Sequence, residues 1–113
     1  MIGDSLPAAI GKDLNGSYGT LPGTDSPGAA KFNGLATAAG FKPGPYAPQS
    51  YDAAALIVLA MQAGNSADRA SIAKNVMDVA NGPGTKIYPG ELKKGLDLLA
   101  KGKKVDYEGA TGV

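Results

Sequence analysis

At 113 residues the chain has room for one domain at most. Lys and Arg number 11 against 10 Asp and Glu, a net charge of +1, so no bulk charge points to nucleic acid or an anionic membrane. Cys and His are both absent, which removes disulfides, thiolate chemistry, Cys-based metal sites and the commonest general base.

Met1-Ile2-Gly3-Asp4-Ser5 shows no basic start followed by an apolar stretch, so no export signal is visible. Leu6 to Ile10 reads as one or two helical turns, with Pro7 suited to a first turn. Gly16 to Leu21, rich in Tyr, Thr and Leu, suits a short buried strand. Thr24-Asp25-Ser26-Pro27 supplies a cap and a first-turn proline, and Ala30, Phe32, Leu35, Ala36 and Ala39 make a modest apolar stripe after it. Phe41 to Pro48 reads as an extended connector, anchored on the surface by Phe41 and Tyr46.

Ala53 to Met61 is an unbroken apolar run, with Pro48 before it as a break, Ser50 or Asp52 as a cap, and Gly64 as its end. A helix apolar on every side must be sandwiched between other layers. This one is too short to span a bilayer, which takes ~20 apolar residues. Ser66 or Asp68 caps the next helix, where Ile72, Ala73, Val76, Met77 and Ala80 recur at helical spacing until Asn81-Gly82-Pro83-Gly84 ends it. Pro89, Gly90 and Glu91 open a last helix with a Leu92, Leu96 and Leu99 stripe, stopped by Gly102. Val105 to Tyr107 is a second strand candidate, and Glu108 to Val113 has no reason to be regular.

Several of these stretches are similar to one receptor family. Ser50-Tyr51-Asp52-Ala53-Ala54, with the apolar helix and the Gly-Asn-Ser-Ala-Asp turn after it, resembles the extracellular solute receptors of ABC importers. More narrowly, it resembles the branched-chain amino-acid and amide-binding family with the type I periplasmic-binding fold. Asn15-Gly16-Ser17-Tyr18-Gly19-Thr20 and Ser26-Pro27-Gly28-Ala29-Ala30-Lys31-Phe32 look like that family's strand and following helix. Ile87-Tyr88-Pro89-Gly90-Glu91-Leu92 and Val105-Asp106-Tyr107-Glu108-Gly109-Ala110-Thr111-Gly112 look like two of its later signatures. The matches cover nearly the whole chain in family order.

The resemblance implies an α/β fold of two lobes that close on a solute and then deliver it to a membrane permease. Two strand candidates beside about five helices are too few for a covered sheet, and parallel strands need crossovers that a chain this short is not expected to fit. The expectation is therefore a helix-rich partial lobe over residues 1–113, with one or two short strands and no internal boundary. Its parent would be periplasmic or extracellular, and this chain would lack the parent's leader. Left with uncovered apolar faces, it would pair with a second copy. The alternatives are a ligand-sensing regulator of the same fold and a self-associating helical module without solute binding.

Catalytic chemistry finds no support in the residues. The carboxylates are scattered, no His activates a hydroxyl, and no lysine sits in an apolar run. Gly82-Pro83-Gly84-Thr85-Lys86 lacks phosphate-loop spacing and reads as a helix terminator. No enzyme, metal or cofactor is expected. The candidate site is the start of the apolar helix, where free N–H groups and a partial positive charge can receive a carboxylate. Tyr51 offers a flat face and a hydroxyl, either as a cleft wall or as plain core. The resemblance places the matching tyrosine at the cleft between lobes. Asp52 would contact an ammonium group or cap the helix, and Gln49 and Ser50 share that turn.

Overall fold

The computed structural model describes residues 5–20 and 22–112. Among these residues five helices and two strands run in the order α1 (Ser5–Ile10), α2 (Pro27–Ala38), α3 (Ala47–Gly64), α4 (Arg69–Asn81), β1 (Thr85–Ile87), α5 (Leu92–Ala100) and β2 (Val105–Tyr107), with a 3-10 turn at Gly11–Leu14. The described residues are helix-rich with two short strands; the helices and Val105–Tyr107 fall where the sequence predicts them, whereas the Thr85–Ile87 strand is unexpected.

Local chemistry accounts for most boundaries. The Ser26 hydroxyl accepts the Ala29 amide at 3.1 Å, and Pro27 opens α2, where a missing N–H costs nothing. Asn65, at φ 45° and ψ 40°, ends α3 in the left-handed conformation that asparagine tolerates. Asp68 caps α4 by position, while its own amide donates to the Ser66 hydroxyl at 3.1 Å. At Tyr88–Glu91, Pro89 and Gly90 (φ 90°) make a type II turn closed by the Glu91 amide on the Tyr88 carbonyl at 2.9 Å.

The two strands are parallel, in the register Thr85 to Val105, Lys86 to Asp106 and Ile87 to Tyr107. Helix α5 is the crossover between them, so a β-α-β unit fits in a chain that looked too short for one. Gly95 lets α5 lie close: a Cβ there would stand 2.9 Å from Leu59 Cδ2. Ala55, Leu59 and Ala60 of α3, Val79 of α4, Ile87 of β1, and Val105 and Tyr107 of β2 form the core.

Four expectations are corrected. The segment Gly16–Thr20 forms no strand and is exposed, Tyr18 fully so, because no neighbouring strand pairs with it; Leu21 lies outside the described residues. Helix α3 starts at Ala47, with Pro48 inside its first turn, so neither Ser50 nor Asp52 caps it. Phe41 and Tyr46 are about half exposed, so neither is a buried anchor for the connector. Finally, α3 is covered on one side only. Ala55, Leu59 and Ala60 are buried under α4, α5 and the strands, while Ala53, Ala54, Ile57 (47% exposed) and Val58 (41%) form an open stripe.

Candidate functional site

The four residues expected to carry a site occupy consecutive positions in the first turns of α3, so the helix points them in different directions. Gln49 faces α2. Its side-chain oxygen is buried and has no hydrogen-bond donor among the described residues. It borders a cavity of about 350 Å³ between the 22–24 loop, α2, the start of α3 and the C-terminal turn. Phe32, Ala110 and Pro48 give this cavity apolar walls, and Thr24, Asn33 and Thr111 add polar groups. Ser50 is exposed, and its hydroxyl donates to the Tyr46 carbonyl at 3.0 Å, within its own helix.

Tyr51 lies behind the cavity wall. Its ring packs against Phe32 at 5.4 Å between centroids, tilted by 59°. Its hydroxyl accepts the Gly90 amide at 3.0 Å. The central peptide of a type II turn points its N–H outward, and Tyr51 satisfies that donor in the Tyr88–Glu91 turn. One side chain thus ties α3 to both α2 and the entry of α5.

Asp52 is the one buried charged residue among those described, at 6% exposure. Oδ1 accepts the Tyr107 hydroxyl and the Ala110 amide, each at 2.8 Å. Oδ2 accepts the Thr111 amide at 2.8 Å and the Thr111 hydroxyl at 2.6 Å. Four donors on two oxygens provide the hydrogen bonding that a buried carboxylate requires. Burial first, and then the bond to Asp52 and its charge, push the Tyr107 hydroxyl well above the ordinary tyrosine range. The Asp52 carboxylate therefore faces the chain's own C-terminal turn.

Tyr107, Ala110 and Thr111 are the partners of Asp52 that sequence reasoning missed. Their local signal is Gly109, where a Cβ would fall 2.5 Å from Asp52 Oδ2, so only glycine admits the carboxylate. Gly28 supplies the matching approach from α2, because a Cβ there would overlap the Gly109 carbonyl oxygen. The structure brings Gln49 and Asp52 together through Thr111, which lines the cavity and binds the carboxylate. It sets Ser50 and Tyr51 apart from that cavity.

Near β1 the Lys86 ammonium meets the Glu108 carboxylate, and this contact raises the first pKa and lowers the second. Lys31 stands 5.0 Å over the Tyr88 ring. Among the described residues no group of three or more His, Cys, Asp or Glu could hold a metal ion, and no helix is long and apolar enough to cross a membrane.

No family model matches the chain, and no solved structure matches it. Over 68 residues, 60% of its length, it is 35% identical to the chemotactic signal transduction system substrate-binding protein BasB of Halobacterium salinarum. That match covers 16% of the relative, so the chain is similar to part of a protein that binds a substrate.

Proposed function

We propose that the chain is a partial lobe of an extracytoplasmic solute-binding receptor, periplasmic or extracellular in its parent protein. It would handle amino acids, amides or similar small polar solutes, and the parent would pass them to the membrane permease of an ABC importer. The observation that carries this reading is the 35% identity to a substrate-binding protein. Two features of the fold support it. The β-α-β unit is the building block of two-lobe parallel-sheet receptors, and the open stripe of α3 suits a helix made to lie between layers. The reading involves binding and hinge closure, without covalent chemistry.

Within this reading the start of α3 contributes an edge of a site. Gln49 offers its unpaired oxygen to a solute N–H, and Phe32 offers an apolar wall that Tyr51 supports from behind. Asp52 acts through Thr111 as a positioning residue, and Ser50, turned back onto its own helix, takes no part. The relative's part in chemotaxis favours a second reading, in which the same fold reports its solute to a signalling partner.

A titration of the isolated chain with leucine, alanine and acetamide, followed by amide and side-chain NMR shifts, tests the site. Binding should be no tighter than roughly millimolar, about −4 kcal/mol. The shifts should centre on Gln49 and Phe32 and weaken in Gln49→Leu. Micromolar affinity unchanged in Gln49→Leu and Phe32→Leu would place the site elsewhere.

A further inference from the structure

We propose that Asn15 is a site of spontaneous covalent modification, losing its side-chain amide to become aspartate or isoaspartate while the protein stays folded. The sequence holds three Asn-Gly pairs, Asn15-Gly16, Asn33-Gly34 and Asn81-Gly82. In each the backbone nitrogen of glycine can attack Cγ of the asparagine side chain, since no Cβ shields it. The new N–C bond closes a five-membered imide, the C–N bond to the side-chain nitrogen breaks, and ammonia leaves carrying the amide proton. Water then opens the ring at one carbonyl or the other, so the net change is one water consumed and one ammonia released. The step needs a glycine N–H that is free to lose its proton, and an asparagine whose ψ can turn.

The fold grants these conditions to one pair. Asn33 and Gly34 lie inside α2, where the helical ladder holds the Gly34 amide. The Asn33 carbonyl also accepts the Thr37 hydroxyl at 2.9 Å, which fastens the same peptide. At the end of α4 the Gly82 amide donates to the Asp78 carbonyl at 2.9 Å, and the backbone of Asp78 crowds Gly82 closely. Both pairs must open locally before they can react, and opening a helical segment costs free energy that multiplies directly into the rate.

Asn15-Gly16 is different. Asn15 (φ −62°, ψ 128°) and Gly16 (φ 84°) are the central residues of a type II turn closed by the Ser17 amide on the Leu14 carbonyl at 3.0 Å. A type II turn aims its central N–H outward. In the Tyr88–Glu91 turn that donor, on Gly90, is held by Tyr51, but the equivalent Gly16 amide donates to no acceptor among the described residues. Among the described residues nothing lies within 4 Å of where a Gly16 Cβ would be, and Asn15 and Gly16 are both exposed, which leaves the Asn15 ψ room to turn. The product carries one more negative charge than the parent, which takes the net charge of +1 to zero.

Peptide mass mapping of the folded protein, incubated at neutral pH and sampled over time, tests this. A parallel sample in concentrated urea supplies the unfolded rates. In the folded sample the Asn15 peptide should gain the acid mass and an isoaspartyl form about tenfold or more faster than the Asn33 and Asn81 peptides. In urea the three rates should draw together. Equal rates in the folded protein, or faster conversion at Asn33 or Asn81, would overturn the proposal. A ranking that survives unchanged in urea would also overturn it, because flanking residues and not the turn would then set the order.

Discussion

Asp52 and Thr111 stand 59 residues apart in the chain and are joined twice, through the Thr111 amide and the Thr111 hydroxyl on the same carboxylate oxygen. Tyr107 and Ala110 fill the other oxygen. A turn with no regular structure is thereby fixed to the central helix by a charge that would be intolerable without it. Removing the carboxylate leaves buried donors unpaired, whereas removing one donor leaves an acceptor that still has three partners.

Asp52→Ala should therefore cost about 3 kcal/mol of stability, and Tyr107→Phe about 1 kcal/mol. Urea unfolding curves of the two variants and the parent chain measure both. Equal losses would mean that the carboxylate does not hold the turn.

Stability should also fall in strongly alkaline solution. The Tyr107 hydroxyl is raised above its ordinary value of 10.0 by burial and by Asp52, so the folded state keeps a proton that the unfolded state gives up. The unfolded state then binds fewer protons, and stability declines as pH rises past about 10. Below that pH both states hold the proton and the contribution is complete. Melting temperatures from pH 8 to 11 should show this decline, and Tyr107→Phe should flatten it.

Two glycines of α2 should respond with opposite signs. A Cβ on Gly34 meets nothing within 4 Å, so Gly34→Ala should stabilise the protein by up to about 1 kcal/mol through helix propensity. A Cβ on Gly28 runs into the Gly109 carbonyl, so Gly28→Ala should destabilise by about 1–3 kcal/mol. Thermal melts of the pair separate close packing from propensity within one helix.

The open stripe of α3 should make the isolated chain self-associate, most simply as a two-fold dimer. Ala53, Ala54, Ile57 and Val58 carry no charge to oppose contact, and burying such surface yields ~25 cal/mol per Å². Sedimentation over a wide concentration range should show oligomers, and Ile57→Glu should shift them toward monomer. A parent chain that is monodisperse and monomeric at every concentration would show that the stripe is tolerated as it stands.

Features that depend on near neighbours were readable in the sequence. Ser26 and Pro27 start α2, Gly82 ends α4, and the Leu92, Leu96 and Leu99 stripe marks α5, because caps and helical periodicity act within a few residues. Features that need a distant partner were not. Thr85–Ile87 is a strand only because Val105–Tyr107 lies beside it, and Gly16–Thr20 has the composition of a strand but no partner. Pro48 has the sequence signature of a break, but the structure places it in the first turn of α3, where proline is also tolerated. The candidate site divides in the same way. That Gln49 to Asp52 share the start of one helix was legible, whereas the donors on Asp52 come from 55 to 59 residues away.

That separation also bears on the order in which the molecule assembles. Thr85 reaches Val105 across a loop about a third as long as the one that Asp52 must close to reach Thr111. Closing the longer loop costs about 1 kcal/mol more in chain entropy, with none of the intervening helices yet docked. The β-α-β unit should therefore condense early, and the carboxylate should capture its turn late, once α3 already lies on the strands. The same bonds would be the first released in partial opening, so the amides of Ala110 and Thr111 should exchange with solvent before those of Leu59 and Val79.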